Sequence, residues 1–211
     1  MENPVIIFGA NYLGRSAKEI FESNEVEVYG FLDDDQKLHN TQLDDVTVLG
    51  STDNDGFLKL IGKKCEAFVA VDDNRLRKSL VKVIQEVRHK QPVNAIHAGA
   101  SISSKAEIGH GNFIDRGAII AMGAKVGNHN LINVLAMVGV DVTLGDFVQV
   151  GSGSLINPGV TIEDEVFIGS GVTIVAGVQI GKGARIGAGS VVIASVKENE
   201  TVFGNPAQKV K

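Results

Sequence analysis

The sequence predicts an α/β domain with a small parallel sheet over residues 1–92, followed by a parallel β-helix of six-residue repeats over residues 93–211. Two periodicities carry this prediction. In the first part, short apolar runs alternate with helical patterns, which is typical of strands joined by helices in a parallel sheet. In the second part, an aliphatic residue recurs at every sixth position, and a short fixed period of this kind is typical of a solenoid.

The expected strands of the first part are short apolar runs bounded by turn residues. They span Val5–Phe8, Glu27–Leu32, Val46–Leu49 and Ala67–Val71. Each is followed by polar or glycine-rich residues, as is usual where a buried strand reaches the surface.

Three helices are expected between and after these strands, over Leu13–Ser23, Phe57–Ile61 and Arg75–Lys90. Asn74 is the expected N-cap of the last one, because an asparagine side chain can accept a bond from an amide in the first turn. The apolar positions of this helix predict that one stripe packs on the sheet. That stripe consists of Leu76, Leu80, Val83 and Val87.

The second part keeps its six-residue period without an insertion from Ile96 to Val192, over 17 branched aliphatic residues. Three hexads per turn would give a triangular prism with an 18-residue coil, in which the aliphatic residues point inward and corner residues point outward. The position four residues later is small or Val in most repeats, with Asn112 and Asn130 as polar exceptions. Any function is therefore expected at the corners.

The overall composition limits the partners and the cellular compartment to be expected. The formal net charge of the 211 residues is −5, and no basic stripe is present, so nucleic acid is not an expected partner. The single cysteine, Cys65, excludes an internal disulfide and fits a reducing cytoplasm. No apolar stretch reaches the roughly 18 residues of a membrane span, so none is expected.

Motifs in both parts resemble the hexapeptide-repeat acyltransferases, and more narrowly the sugar acetyltransferases of the sialic-acid O-acetyltransferase type. That group includes the bacterial nucleotide-aminosugar N-acetyltransferases. Besides the hexads, the resemblance rests on the Gly9-Ala10 opening, Gly30-Phe31-Leu32-Asp33-Asp34-Asp35, Val48-Leu49-Gly50, Asp73-Asn74 with Arg77 after it, and Gly204-Asn205-Pro206-Ala207.

The resemblance implies a Rossmann-like first domain, a left-handed coil and a cytoplasmic homotrimer that binds acetyl-CoA between adjacent prisms. A nucleotide-linked sugar, or a similar small acceptor, would bind between the α/β domain and a neighbouring prism, for acylation in surface-glycan biosynthesis. In this family a corner histidine, preceded by an acidic residue, takes the proton of the attacking amine or hydroxyl, and a backbone N–H stabilises the oxyanion. No metal is implied.

The catalytic positions depart from the family pattern. Asp141 and Leu144-Gly145-Asp146-Phe147 fix the register, so that Val140 stands where the family has its histidine and Gly139 stands at the acidic position. Valine cannot accept a proton, and loss of a general base costs about 10²- to 10⁴-fold in rate. Three alternatives remain: Asp141 as a substitute base, His129 supplied by a neighbouring subunit, or a non-catalytic relative that keeps the trimeric scaffold and ligand groove.

The binding positions depart as well. Gln149 takes the place of a second corner histidine that touches acetyl-CoA, and Ser170 and Ala188 are further expected cofactor contacts. The expected acceptor contacts lie in the first domain; among them, Tyr12 and Leu13 replace a glycine and a histidine, and Asp72 replaces a glycine. These acceptor contacts are Tyr12, Leu13, Gly14, Asp33, Asp34 and Asp72.

Two of the motifs in the first domain also have a purely structural interpretation. The segment from Gly9 to Gly14 lacks the middle glycine of a dinucleotide fingerprint and is equally well a strand-to-helix turn. Asp33-Asp34-Asp35 could hold a ribose or uracil edge, or form a solvated turn.

His110 and His129 are 19 residues apart, which predicts that they stack at one corner. That placement raises a metal or base hypothesis. Zinc needs three or four ligands, so exposed polar corner residues are the favoured interpretation.

Overall fold

The computed structural model describes residues 3–210, which divide into two compact units with the boundary between residues 98 and 99. The domain boundary predicted from the sequence, after residue 92, lies six residues before this one. None of the described helices is long and apolar enough to cross a membrane.

The first unit is the expected α/β domain. Its elements in chain order are β1 (Val5–Phe8), α1 (Tyr12–Ser23), β2 (Val28–Leu32), β3 (Gln42–Leu43), β4 (Val46–Gly50), α2 (Asp55–Leu58), β5 (Glu66–Val69), α3 (Asn74–Arg88) and β6 (Ala95–Ile96). The strands β3-β4-β2-β1-β5 form one sheet, parallel except for the β3–β4 pair. All four residues of β1 are buried, since this strand lies in the interior of the sheet.

Helix α1 packs on the sheet through Ala17, Ile20 and Phe21. The ring of Phe21 meets that of Phe68 edge-on, with a centroid distance of 5.6 Å. This packing holds the second half of α1 against the sheet.

Helix α3 differs from its sequence prediction at its cap and its face. Asp73, not Asn74, is the N-cap, because its carboxylate accepts a 2.8 Å hydrogen bond from the amide of Leu76. Leu76 and Val87 are exposed, 46% and 50%, and Val83 is half-buried. The buried stripe consists instead of Arg77, Leu80, Val81 and Ile84.

The second unit is a parallel β-helix, as predicted. Its two-residue strands are β7 (Ser101–Ile102), β8 (Glu107–Ile108), β9 (Phe113–Ile114), β10 (Ile119–Ile120), β11 (Lys125–Val126), β12 (Leu131–Ile132), β13 (Met137–Val138), β14 (Thr143–Leu144), β15 (Gln149–Val150), β16 (Leu155–Ile156), β17 (Thr161–Ile162), β18 (Phe167–Ile168), β19 (Thr173–Ile174), β20 (Gln179–Ile180), β21 (Arg185–Ile186) and β22 (Val191–Val192). A hairpin of β23 (Thr201–Gly204) and β24 (Ala207–Lys209) follows.

Strand pairing confirms the 18-residue coil. Ile119 pairs with Met137 in the first sheet (β7-β10-β13-β16-β19-β22), Lys125 with Thr143 in the second (β8-β11-β14-β17-β20), and Leu131 with Gln149 in the third (β9-β12-β15-β18-β21-β23). The second residue of each strand points inward. Every such aliphatic residue from Ile114 to Val192 is at most 4% exposed.

The polar exceptions Asn112 and Asn130 are fully buried at one corner and form a vertical hydrogen-bonded stack. The amide of Asn130 donates to Asn112 Oδ1 at 2.9 Å, and the amide of Val148 donates to Asn130 Oδ1 at 2.6 Å. Because a buried polar side chain is costly without such bonds, the stack accounts for the two side-chain oxygens within the fold, whereas Nδ2 of Asn130 has no partner among the described residues.

Candidate functional site

The three outer faces of the prism differ in polarity. The outward residues of the second sheet are polar, such as Lys125, Thr143 and Thr161. In the first sheet, the outward residues Ile119 and Leu155 are apolar and 45% and 42% exposed, and half-buried Met137 lies between them. We call Ile119, Met137 and Leu155 the apolar face.

Val140 lies at the corner that follows β13, on one edge of the apolar face. Its side chain is half-buried, and the 18-residue register places the exposed residues Met122 and Pro158 above and below it. A Cβ atom on Gly139 would lie 2.6 Å from the carbonyl oxygen of Ile156, so an acidic side chain at that position would force the backbone apart. This corner is therefore apolar at the expected base position.

Asp141 is the ionisable residue next in sequence to Val140. It adopts a left-handed backbone conformation, with φ of 55°, and is exposed. Its Oδ1 occupies the space that a Cβ atom on Gly123 would take, so the carboxylate folds back over the preceding coil. Asp141 thus offers a solvent-accessible carboxylate beside Val140.

The expected cofactor positions lie elsewhere on the prism. Ser170 and Ala188 are exposed and stack at the corner that precedes β19 and β22, and the amide of Gly189 donates to the Ser170 carbonyl at 2.9 Å. Gln149, predicted at a corner, is instead the half-buried first residue of β15. Within one chain, the first sheet separates the Ser170 corner from the Val140 corner.

In the first unit, the turn between β1 and α1 is held by its own side chains. Asn11 caps α1, and its Oδ1 accepts bonds from the amides of Leu13 (2.8 Å) and Gly14 (3.1 Å). Its Nδ2 donates to the Ala70 carbonyl at 3.0 Å, and the Ala10 amide donates to Asp33 Oδ2 at 2.8 Å.

Tyr12 and Asp72 meet across the ends of β1 and β5. The Tyr12 hydroxyl donates a 2.5 Å hydrogen bond to Asp72 Oδ2, although Tyr12 is 67% exposed. This bond, with a smaller effect of burial, raises the pKa of Tyr12 to about 12. The two replacements that the sequence places on separate turns therefore form one pair.

Arg77 holds the turn that carries Asp72. Its side chain is only 1% exposed, and one guanidinium nitrogen donates to the carbonyls of Val71 (2.6 Å) and Asp72 (3.1 Å), while another donates to Asn74. Burial lowers the pKa of Arg77 to about 10. The sequence singles out Arg77 as a motif residue, but its contacts could not be read from the sequence.

The other expected acceptor contacts have structural partners. Leu13 is 4% exposed, and a Cβ atom on Gly14 would lie 2.1 Å from the Gly9 carbonyl oxygen, so both residues serve the packing of α1. Asp33 Oδ1 accepts a bond from the Asp35 amide at 2.9 Å. Asp34 Oδ1 accepts from the amide and hydroxyl of Thr52, at 2.9 and 2.8 Å.

His110 and His129 lie at one corner in adjacent coils, as predicted, and the amide of His129 donates to the His110 carbonyl at 2.8 Å. His129 is 4% exposed, lies over Gly111 and packs on the ring of Phe147 at a centroid distance of 4.9 Å, whereas His110 is exposed. Within residues 3–210, no group of three or more His, Cys, Asp or Glu side chains is arranged to hold a metal ion.

Comparisons with known proteins agree with both units. The family model of the PglD N-terminal domain matches residues 4–84, and that of the bacterial transferase hexapeptide (six repeats) matches residues 159–194. No curated protein sequence matches the chain.

Solved structures match the chain from end to end. PerB from Caulobacter crescentus, in complex with CoA and GDP-perosamine, is 29% identical and has a TM-score of 0.90; the match covers 100% of this chain and 99% of that one. WeeI from Acinetobacter baumannii AYE is 26% identical, with a TM-score of 0.85 and coverage of 98% and 99%. The acetyltransferase domain of PglB from Neisseria gonorrhoeae FA1090, in complex with acetyl coenzyme A, shares the fold at 24% identity, with a TM-score of 0.89 and 100% coverage of both chains.

Proposed function

Because the chain belongs to the bacterial sugar acetyltransferases with hexapeptide repeats, we propose that it transfers an acetyl group from acetyl-CoA to a nucleotide-linked sugar or a similar small acceptor, in surface-glycan biosynthesis. The observation that carries this proposal is the full-length match to PerB, a protein whose structure holds CoA and GDP-perosamine. The single cysteine, Cys65, is buried and fits the reducing cytoplasm as the proposed compartment.

The proposed reaction forms a bond from the acceptor nitrogen or oxygen to the thioester carbon and breaks the carbon–sulfur bond. The acceptor's proton must leave, and CoA departs as a thiol or thiolate. Val140 cannot take that proton, so Asp141 is the proposed acceptor of it. A free amine needs this help less than a hydroxyl does, since a well-positioned neutral amine is already a nucleophile. We therefore favour N-acylation.

We further propose that the protein acts as a homotrimer. Two observations support this: the apolar face is exposed in the single chain, and the Val140 and Ser170 corners lie on opposite edges of it. Burial of this face between copies would bring the Ser170 corner of one prism towards the Val140 corner of the next. A complete site would then need two subunits.

The apolar surroundings of Val140 also support a second candidate, a non-catalytic relative that retains the CoA groove. Met122 and Pro158, the neighbours of Val140 along this edge, have no ionisable group either. Calorimetry with CoA separates binding from turnover, because this candidate binds CoA without releasing thiol from acetyl-CoA.

The decisive assay measures thiol release from acetyl-CoA in the presence of a panel of nucleotide-linked aminosugars. Wild type is compared with Val140→His, and with Lys182→His as a control at the same hexad position of the corner between the second and third sheets, away from the apolar face. Activity in wild type supports the proposal, and Val140→His should raise the rate by about 10²- to 10⁴-fold. Activity that appears only in Val140→His identifies the natural chain as non-catalytic.

A further inference from the structure

The crevice between the carboxyl ends of β1 and β5 is the place where this sheet would bind a ligand. The chain runs from β1 to β2 on one side and returns later as β5 on the other side of β1. In open α/β sheets, ligands bind where the strand order reverses in this way. The turns on either side of the crevice carry Asn11-Tyr12 and Val71-Asp72.

The amides that usually bind phosphate in such a crevice already have acceptors. A helix N-terminus binds phosphate through its first free N–H groups. Here the amides of Leu13 and Gly14 donate to Asn11, and the Ala10 amide donates to Asp33. Asn11 stands where a dinucleotide fingerprint has the glycine that allows close approach of a pyrophosphate. A phosphate would have to displace these bonds.

Two hydrogen bonds also bridge the crevice, and one of them brings a carboxylate. Asn11 reaches the Ala70 carbonyl, and outside it the Tyr12 hydroxyl reaches Asp72. Arg77 interacts electrostatically with Asp72, but its guanidinium is buried and bound to the carbonyls of Val71 and Asp72, so that of the two charges only Asp72 is exposed to a ligand. An anionic ligand group would therefore meet a fixed negative charge.

We propose that the Tyr12–Asp72 pair is a specificity determinant that keeps the acceptor's phosphates out of this crevice and receives a hydroxyl or amino group of the acceptor instead. A carboxylate accepts up to about four hydrogen bonds, so Asp72 can bind such a donor while it keeps Tyr12. The inference rests on the proposed function, which makes this surface the acceptor side of an acetyltransferase.

Calorimetry at low ionic strength tests the proposal with UDP and GDP as diphosphate probes and with uridine and guanosine as matched nucleosides. Asp72→Asn keeps the shape and removes the charge, and we expect it to raise diphosphate affinity about tenfold. Nucleoside affinity should stay the same or fall. The gain should shrink as salt is added, because salt screens exposed charges. Glu86→Gln, near the other end of α3, removes the same charge elsewhere and should leave both affinities unchanged.

The proposal is overturned if Asp72→Asn leaves diphosphate affinity unchanged or lowers it, if Glu86→Gln reproduces the gain, or if neither wild type nor variant binds a diphosphate. Failure of the proposed function would give a different result. CoA and the nucleosides would bind, and Asp72→Asn would raise diphosphate affinity relative to wild type as expected, but no acceptor would be acetylated. The two results are distinguishable because the affinity ratio is measured without acyl transfer.

Discussion

The Tyr12 hydroxyl and the Asp72 carboxylate, 60 positions apart in the chain, lie 2.5 Å from each other. The carboxylate stabilises the protonated phenol and raises the pKa of Tyr12 to about 12. Since the folded-state pKa lies above the ordinary value of 10.0, the stability that this bond contributes is fully present below pH 10 and is lost as the pH rises through 12.

An ultraviolet titration of the phenolate checks this relationship. The difference between wild type and Tyr12→Phe isolates the signal of Tyr12 from that of Tyr29, and we expect its midpoint near pH 12. Asp72→Asn should move the midpoint back towards 10. A midpoint of 10 in wild type would mean that the bond is absent in solution.

Arg77 is expected to be a major contributor to the stability of the first unit. Arg77→Ala would leave the carbonyls of Val71 and Asp72 without their buried donor and open a cavity, at a cost of about 2–4 kcal/mol. The free energy of unfolding from urea titration measures this. The exposed neighbour Arg75 provides the control, since Arg75→Ala should change it by less than about 0.5 kcal/mol. Equal effects of the two substitutions on the free energy of unfolding would argue against a stabilising role of the Arg77 hydrogen bonds.

The apolar face should determine the oligomeric state. Leu155→Glu places a charge on the apolar face, within the proposed subunit interface, where it could not keep its hydration, and we expect dissociation to single chains. Thr161→Glu, on the exposed polar second sheet, should leave the assembly intact. Light scattering after size exclusion gives the mass of each variant. An unchanged mass for Leu155→Glu would place the interface elsewhere.

Asp141→Asn tests the proton acceptor without disturbing the corner, because asparagine tolerates the left-handed conformation that Asp141 adopts. If Asp141 takes the proton, acyl transfer by wild type should fall by at least about 10²-fold, with CoA affinity unchanged. Rate and CoA affinity are measured separately, by thiol release and calorimetry. A rate within twofold of wild type would remove Asp141 from the mechanism.

The β-helix could be predicted almost residue by residue, because the inward aliphatic residue of every hexad fixes the register. Ile120, Val138 and Ile156 stack as the 18-residue period requires. The same period places Val140 at a corner. It does not place Gln149 there, because the first residue of each strand is outward-facing sheet and the corners begin only after the second.

The first unit could be predicted less completely from the sequence, because a helix such as α3 has more than one possible apolar stripe. Leu76, Leu80, Val83 and Val87 form a regular helical stripe, yet the stripe with Val81 and Ile84 is the buried one. That stripe includes Arg77. A charged side chain is expected to be exposed, but Arg77 is buried because backbone carbonyls accept its hydrogen bonds. The Tyr12–Asp72 contact joins two distant turns and has no local signature at all.

The two-residue strands give this β-helix a fixed increment of size. Addition or removal of one 18-residue coil would leave each sheet in register and change only the height of the prism, by about 4.8 Å. A side chain at a corner can therefore be relocated along its edge only in whole steps of that size. A groove built on such edges must change its length in discrete increments, and finer adjustment has to come from which side chain occupies a given step, as at Val140.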